Sequence, residues 1–370
     1  MATITVTATC ACKSFTLPIT YPISDLPFSR SLCLCNSCRR LSGSCGNTYI
    51  ILPSSLQKHD LPSDAKLTAY KTSDRVTRYF CERCGAHVLI KINELEKWFI
   101  ATGILDRTEG IVRWEGCKWV EGTLDGGASD WLRVAIDPDG QKRELRRWMF
   151  QDGPDGKLVP EDWKTDIGKK ESADDGEERL HAKCHCGGVD FYVTRPNAAS
   201  KEAHSTFPDL MVPFHTGPPS ANPQNEPWWL RCKDTKYLAG TCTCTSCRLS
   251  LGFEIQTWAF IPQTNLFWPD GLVMEWGVQR GTMRKYESSP EVWRTFCGVC
   301  GATVFWNAEW RAELVDVSVG LLDPEEGARV EGWLEWFTER VSFEEMAVSR
   351  GLVEGLKDGL KKWGDERKDE

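Results

Sequence analysis

Cysteine is the residue type in this sequence whose number and spacing point most directly to chemistry. The chain of 370 residues contains 17 cysteines, most of which fall into clusters that occur twice in the order C-x-C, C-x-C-x-x-C and C-x-x-C-G. Such spacing is typical of thiolate metal sites. The first copy contains Cys10, Cys12, Cys33, Cys35, Cys38, Cys81 and Cys84, and the second contains Cys184, Cys186, Cys242, Cys244, Cys247, Cys297 and Cys300.

The two outer clusters of each copy predict a closed zinc site. A structural zinc takes four tetrahedral ligands, commonly thiolates at about 2.3 Å. Cysteines at i and i+2 of a strand point to one face, and a C-x-x-C-G turn offers two more thiolates beside a permissive glycine. A disulfide framework is the alternative, but the odd number of cysteines argues against it. The predicted structural zinc ligands are Cys10, Cys12, Cys81 and Cys84 in one domain, and Cys184, Cys186, Cys297 and Cys300 in the other.

The middle cluster of each copy provides only three thiolates. Three protein ligands and one open position form the arrangement of a catalytic zinc, and the open position can take water or a substrate thiolate. Alternatively, a fourth protein ligand closes the site. The spare candidates are Cys45 and His59 in the first copy, and Cys232, His204 and His215 in the second. We therefore expect up to four zinc ions per chain, two of them structural and two at three-cysteine sites.

The sequence around the clusters also repeats, which indicates two homologous domains. The third clusters are 216 residues apart (297 − 81), the middle clusters 209 (242 − 33) and the first clusters only 174 (184 − 10). The second copy thus carries about 35 extra residues between its first and middle clusters. The predicted divisions are a first zinc β domain over 1–136, a linker over 137–179, a second zinc β domain over 180–345 with an insertion at about 195–230, and a C-terminal helical tail over 346–370.

Short strands are expected to position these clusters. Residues 2–9, 88–92, 98–102, 257–261 and 303–306 have the alternation or the β-branched and aromatic content of strands. Leucines at helical spacing predict an amphipathic helix over 343–363 that packs on the second domain, with a partner-binding helix as the alternative. The fold class is therefore mainly β, with two homologous small zinc-stapled β domains in tandem and a C-terminal helix.

Charge and hydropathy narrow the classes of partner. The net charge is −8, from 45 basic and 53 acidic residues. A mildly acidic chain does not attract nucleic acid through its bulk field. There is no apolar run of about 18 residues that would predict a membrane span, and no secretory signal pattern. We expect a cytoplasmic protein, because thiols stay reduced in the cytosol.

In combination, these motifs resemble the family of glutathione-dependent formaldehyde-activating enzymes, which also includes centromere protein V. The resemblance covers residues 5–130 and 180–343, with all seven cysteines in both copies. It implies a small zinc-stapled β fold, a structural zinc on the outer cysteines and a second zinc on the middle three. In enzyme-type members that second zinc is associated with glutathione adduct chemistry. Residues 184–188 match the family pattern more closely than residues 10–14, and so the second copy is the better candidate for activity.

The resulting hypothesis is a zinc-dependent carbon–sulfur lyase-type enzyme that acts on glutathione or related thiol adducts at a zinc-bound thiolate. Arg39 and Arg248 directly follow the middle clusters and are candidates to pair with a substrate carboxylate. The alternative role for these arginines is a hydrogen bond to the thiolates or to a surface carboxylate. From a different class, the alternative function is a non-catalytic zinc scaffold that binds a protein partner. The sequence assigns no general base.

Overall fold

The structure is a computed structural model that describes residues 2–54, 56, 66–160, 163–165, 178–214, 221–275, 277–323 and 325–368. Its described part consists mainly of β-strands, which confirms the predicted fold class. The first half contains β1 (Thr3–Thr9), β2 (Thr16–Pro22), β3 (Phe28–Cys33), α1 (Asn36–Ser42), β4 (Tyr49–Ile51), β5 (Leu67–Lys71), β6 (Val76–Cys81), β7 (His87–Ile92), β8 (Lys97–Ala101), β9 (Val112–Lys118), β10 (Val134–Ile136), β11 (Lys142–Glu144) and β12 (Arg146–Arg147).

The second half repeats much of this order. It contains β13 (Arg179–Lys183), β14 (Asp190–Thr194), β15 (Leu230–Arg231), β16 (Lys236–Cys242), α2 (Thr245–Leu251), β17 (Gln256–Pro262), β18 (Leu266–Phe267), β19 (Met283–Ser289), β20 (Val292–Cys297), β21 (Thr303–Ala308), β22 (Leu314–Ser318), β23 (Leu334–Trp336) and α3 (Arg350–Lys368). Among the described residues, no helix has the length and apolar character needed to cross a membrane.

One antiparallel sheet occurs in both halves. Its strand order is β4-β8-β7-β6-β5 in the first half and β17-β22-β21-β20-β19 in the second. A parallel pair, β3 with β9 and β16 with β23, also repeats. The register repeats too, since Ile90 pairs with Phe99 as Trp306 pairs with Asp316. Residues of the two copies can therefore be compared position by position.

The segment predicted as a linker over 137–179 forms structure at its start. β11 pairs with β10, and β12 pairs in parallel with β9. Trp148 is buried just beyond them. The charged composition of β11 and β12 hid these short strands from the sequence pattern. Residues 161–162 and 166–177 lie outside the described residues, and the predicted domain boundaries stay predictions.

The two halves contact each other through equivalent surfaces. The backbone N–H of Gly103 donates to the carbonyl of Gly252 at 3.2 Å, and the N–H of Gly320 donates to the carbonyl of Gly43 at 3.1 Å. Gly103 and Gly320 are equivalent positions in the two copies, as are Gly43 and Gly252. A contact that repeats with the roles exchanged defines a two-fold, self-complementary interface. The halves therefore pack like the subunits of a symmetric dimer.

Glycine at the ends of α1 and α2 allows this close packing. Gly43 and Gly252 end the helices in the left-handed region, at φ 79° and 82°. A Cβ atom at Gly43 would lie 2.2 Å from the Thr303 carbonyl oxygen, and one at Gly252 would lie 2.3 Å from that of His87. Each glycine therefore both terminates a helix and brings its own copy against the other.

The C-terminal helix α3 differs in two respects from its prediction. It begins at Arg350 rather than near residue 343, and it packs on β10 of the first half rather than on the second domain alone. The predicted apolar face is buried. The glycines that face β10 were not recognised as a packing signal: Cβ atoms at Gly351, Gly355 and Gly359 would lie 1.7, 1.8 and 1.8 Å from carbonyl oxygens of Ile136, Val134 and Trp131.

Replacing Gly355 with alanine tests this packing. Alanine favours the helix by about 1 kcal/mol, but its Cβ would overlap the Val134 carbonyl and displace α3. We expect Gly355→Ala to lower the free energy of unfolding by roughly 2 kcal/mol in urea denaturation. The control is Lys361→Ala at an exposed position of the same helix, expected to change stability by less than about 0.5 kcal/mol. A more stable Gly355→Ala protein would contradict the close approach of α3 to β10.

Candidate metal centres

The two outer clusters of the first copy meet at one place. The turn after β1 carries Cys10 and Cys12, and the turn after β6 carries Cys84, with Cys81 at the end of β6. The four Sγ atoms lie within 4.8 Å of one another. The Sγ atom of Cys12 is 3.5 Å from those of Cys10 and Cys81. Four sulfurs around one zinc ion would be ~3.8 Å apart, and so this cluster has the size of a tetrahedral thiolate site.

The second copy repeats this cluster with Cys184, Cys186, Cys297 and Cys300. The Sγ atom of Cys186 is 3.5 Å from those of Cys184 and Cys297. Each cluster joins the first hairpin of its copy to the antiparallel sheet of that copy. The structure therefore brings together the two sets of four cysteines that the spacing predicted. All 17 cysteines are free thiols.

The C-x-C pairs lie in turns rather than on strands, so the predicted reason for their convergence was wrong. In these turns, backbone N–H groups point at sulfur. The N–H of Phe15 donates to Cys10 at 3.4 Å, and the N–H of Val189 donates to Cys184 at 3.3 Å. Donors of this kind stabilise a thiolate, which is the form that binds metal.

Hydroxyl groups add to this stabilisation. Ser14 Oγ lies 3.0 Å from Cys12 Sγ, and Thr282 Oγ1 lies 2.9 Å from Cys297 Sγ. Hydrogen bonds from the neighbouring cysteines, with these hydroxyls, hold the pKa of the Cys12 and Cys297 thiols well below the usual range. Four cysteine sulfurs in this arrangement are a donor set that suits zinc.

The middle cluster of each copy is built by a strand that runs into a short helix. In the second copy Cys242 ends β16, Cys244 caps α2 and Cys247 lies on α2. The Cys244 sulfur accepts from the N–H of Cys247 at 3.3 Å. Cys33, Cys35 and Cys38 have the same arrangement around α1. The three Sγ atoms of each cluster lie within 4.8 Å of one another, and in the described part of the chain no fourth metal-ligating group joins them.

The spare candidates for a fourth ligand lie elsewhere. The Cys232 thiol donates to Glu335 at 2.8 Å. His204 Nδ1 is 3.4 Å from a Glu313 carboxylate oxygen. Burial raises the pKa of the Cys45 thiol to about 11, and this thiol is not a member of the cluster. His59 and His215 lie outside the described residues.

Arg39 and Arg248, the predicted substrate ligands, are buried and engaged with the protein itself. Arg39 donates to the Leu34 carbonyl at 3.2 Å and to the Asn36 side chain. Arg248 donates to carbonyl groups of Gly103 and Leu105 in the other half, the latter at 2.8 Å. These contacts give both arginines a role in packing, and their role in substrate binding stays a prediction.

Two other arginines, which the sequence analysis missed, contact the middle clusters. Arg78 Nη2 donates to Cys38 Sγ at 3.2 Å, and Arg294 Nη2 donates to Cys247 Sγ at 3.4 Å. Both guanidinium groups are buried. The signal was present in the repeat, because each arginine stands three residues before the first cysteine of a C-x-x-C-G motif. Their charge offsets the negative charge of the thiolates.

The two copies differ in what else this arginine contacts. Arg78 Nη1 donates to the Tyr49 hydroxyl at 2.9 Å. Trp258 stands at the position equivalent to Tyr49, since Tyr49 pairs with Ala101 as Trp258 pairs with Ser318. Among the described residues, Arg294 Nη1 has no hydrogen-bond partner. In the first copy the arginine Nη1 therefore has a hydrogen-bond partner, whereas the equivalent Nη1 in the second copy has none among the described residues.

A cavity of about 460 Å³ opens on to the middle cluster of the second copy. Its wall combines the sheet, the region after β23 and the insertion that only the second copy carries. Its aromatic lining residues are Phe207, Phe214, Trp258, Phe260, Trp306, Trp310 and Phe343. This volume lies in the range of ordinary small-molecule sites.

Asp209, in the insertion, holds this wall together. Its buried carboxylate accepts from the Phe343 N–H at 2.7 Å and from the Ser342 hydroxyl at 3.2 Å, and it pairs with Arg340. Phe343 is held at φ 53°, and Trp119 near the first three-cysteine cluster has φ 59°. Left-handed conformations of bulky residues persist where the surroundings impose them, commonly at functional sites. The insertion is thus part of the cavity wall.

The fold and the clusters define the class of protein: a tandem β protein in which each half carries a four-cysteine and a three-cysteine cluster that could hold metal ions. The family model described as glutathione-dependent formaldehyde-activating enzyme matches residues 5–118 and 229–340. The chain therefore belongs to the glutathione-dependent formaldehyde-activating enzyme family, and the two matched segments agree with a tandem arrangement. No curated protein and no solved structure matches the chain.

Serine substitutions separate the roles of the two kinds of cluster. We expect Cys297→Ser to lose one metal equivalent and to lower the free energy of unfolding by roughly 4 kcal/mol or more, because metal binding there contributes to folding. Cys244→Ser should also lose one equivalent but cost less than about 1.5 kcal/mol, because its cluster lies at a cavity. Metal analysis and urea denaturation measure both, with Cys232→Ser, outside the clusters, as the control. Equal destabilisation by Cys244→Ser and Cys297→Ser would contradict the division.

Proposed function

We propose that the chain is a zinc-dependent carbon–sulfur lyase-type enzyme that acts on glutathione or related thiol adducts, with its active centre at Cys242, Cys244 and Cys247. The observation that carries this proposal is the cavity of about 460 Å³ over these three cysteines. A three-cysteine cluster beside an accessible cavity has room for one further ligand, whereas a four-cysteine cluster is complete. The outer clusters are proposed as structural zinc sites, for a total of up to four zinc ions per chain.

The reaction requires no oxidant or reductant. In the cleavage direction, an S-(1-hydroxyalkyl) thiol adduct gives a free thiol and a carbonyl compound. The hydroxyl proton is removed, the oxygen forms a double bond to carbon, and the electron pair of the C–S bond goes to sulfur, where a proton completes the free thiol. Bond formation is the reverse. A zinc ion on the three thiolates would supply a Lewis-acidic position for the substrate sulfur.

The residues of the chain provide the surroundings for this chemistry. The Arg294 guanidinium beside Cys247 stabilises negative charge that develops on sulfur in a buried site, where electrostatic interactions are strong. The aromatic walls exclude water from the adduct. The free thiols suit a reducing compartment, and we propose a cytoplasmic location.

Cobalt substitution and a matched pair of cysteine variants test this function. We expect glutathione to alter the thiolate-to-cobalt absorption bands of the cobalt-loaded chain. The chain should accelerate exchange between glutathione and aldehydes, from formaldehyde to an aromatic aldehyde, followed by NMR. Cys244→Ser should reduce this acceleration at least ~100-fold, because it removes one ligand of the active centre. Cys35→Ser, at the equivalent position in the first copy, should retain most of it.

Two results would contradict the proposal, the first its enzymatic activity and the second the location of its active centre. One is unchanged cobalt bands together with no acceleration for any aldehyde, which would favour the non-catalytic scaffold that binds a protein partner. The other is loss of activity in Cys35→Ser with full activity in Cys244→Ser, which would move the centre to the first copy.

A further inference from the structure

Several residues that line the cavity of the second copy differ in type from the residues at the equivalent positions of the first copy. Trp306 and Asp316 form a cross-strand pair where the first copy has Ile90 and Phe99. The turn that connects these two strands repeats as well: Asn93–Leu95 in the first copy corresponds to Glu309–Arg311 in the second. Trp310 and Arg311 thus replace Glu94 and Leu95. The second copy has acquired two tryptophans and an ion pair around one cavity.

The lining of this cavity is mostly apolar. Its two buried carboxylates are already paired, since Asp209 contacts Arg340 and Asp316 contacts Arg311. The Arg311 guanidinium also lies over the Trp306 ring, 4.5 Å from its centroid. The peptide of glutathione carries two carboxylates and an ammonium group, which need charged partners. The cavity therefore suits an apolar substituent on sulfur better than the peptide itself.

Arg294 is the charged lining residue that contacts the three-cysteine cluster, whereas Arg311 pairs with Asp316. Arg294 is 2% exposed, and it lines the cavity. Its Nη2 donates to Cys247 Sγ and to the Ser246 hydroxyl, at 3.4 and 2.9 Å. Its Nε and Nη1 have no hydrogen-bond partner among the described residues. Arg78 Nε has none either, so Nη1 is the donor that distinguishes the second copy from the first. Buried donors of this kind are normally satisfied, and a substrate acceptor would satisfy them.

The position of the Arg294 guanidinium indicates which substrate atom would accept its hydrogen bond. Arg294 already contacts Cys247, one of the three thiolates that face the cavity, so an atom within reach of its free donors lies close to the substrate sulfur. In a thiol adduct, the oxygen nearest to sulfur derives from the carbonyl compound. Tyr49 fills the equivalent place in the first copy with a hydroxyl oxygen that accepts from Arg78.

We propose that the second copy acts on thiol adducts of bulky, apolar carbonyl compounds of aromatic size, and that the carbonyl-derived oxygen accepts a hydrogen bond from Arg294. This inference rests on the proposed function for the location of sulfur. The inference goes beyond the proposed function because it names the carbon skeleton of the carbonyl compound, rather than glutathione or formaldehyde, as the part of the substrate that the cavity recognises. Trp306 and Trp310 are the specificity-determining walls.

Binding of inert thioethers to the zinc-loaded full chain tests the apolar part by calorimetry. S-benzylglutathione and S-methylglutathione share the peptide and differ only in the group that would enter the cavity. We expect S-benzylglutathione to bind roughly tenfold more tightly or better, because an aromatic ring becomes buried. Trp306→Ala should reduce this preference to less than about threefold, whereas Ile90→Ala, at the equivalent first-copy position, should leave it unchanged. Affinities within a factor of about two for the two thioethers would overturn the proposal.

A second pair of probes tests the oxygen contact. S-phenacylglutathione carries a carbonyl that S-(2-phenylethyl)glutathione lacks, at nearly the same size. We expect a preference of about tenfold for the phenacyl compound, because a hydrogen bond from a charged donor has that effect. Arg294→Lys should abolish this preference, and Arg78→Lys should keep it. Zinc analysis identifies any variant that has lost its metal. If a variant has lost it, the unmodified chain decides the test, because equal binding of the phenacyl and phenylethyl compounds would refute the contact with Arg294.

These probes are not cleaved, so the result is independent of turnover. Selective binding without any cobalt or exchange response would leave the recognition of bulky groups intact and refute the enzymatic proposal. Turnover of aldehydes of all sizes at equal rates, with no selective binding, would support the enzymatic proposal and refute the recognition of bulky groups.

Discussion

The structure depends on the close packing of cysteine sulfur atoms in the four-cysteine clusters, where turns that are distant in sequence meet. Four thiol groups within 4.8 Å of one another, with separations of 3.5 Å between several pairs, would repel strongly as thiolates unless a cation lay among them. Such a cluster fixes the first hairpin of each copy to the antiparallel sheet of that copy. The backbone and hydroxyl donors around the sulfurs favour the charged form. The remaining elements, including the strand and helix that carry the other three cysteines, are positioned relative to this connection.

The two copies differ in the contacts of the buried arginine beside the middle cluster. Both have a buried arginine against a cysteine of the middle cluster. In the first copy a tyrosine hydroxyl accepts a hydrogen bond from Nη1 of the arginine. In the second copy a tryptophan occupies that position, and the cavity takes the place of the hydroxyl. A difference of one polar group thus separates an arginine whose Nη1 has a partner from one whose Nη1 has none among the described residues.

The cysteine spacing was sufficient to predict which thiols meet, because metal-site motifs constrain backbone turns strongly. It was not sufficient to predict how they meet, since Cys10 and Cys12 lie in a turn and not on a strand. The mainly β fold followed from short alternating segments. The cavity could not be predicted, because its walls come from the insertion, the sheet and the region around Phe343, whose approach depends on the contacts of Asp209. Arg78 and Arg294 could have been found from the repeat, whereas the role assigned to Arg39 and Arg248 rested on adjacency in sequence, and adjacency does not determine the direction of a side chain on a helix.

The exchange of contacts between Gly43, Gly103, Gly252 and Gly320 has a consequence for how this pair of domains could have arisen. Two separate, identical chains joined through such a surface would dissociate on dilution, whereas two halves of one chain stay at a fixed local concentration however scarce the protein is. Identical subunits must also carry identical pockets. Covalent fusion removes that requirement, and one half can then lose its binding role while it continues to support the fold of the other. The tandem arrangement therefore allows a symmetric pair of domains to carry two pockets that differ.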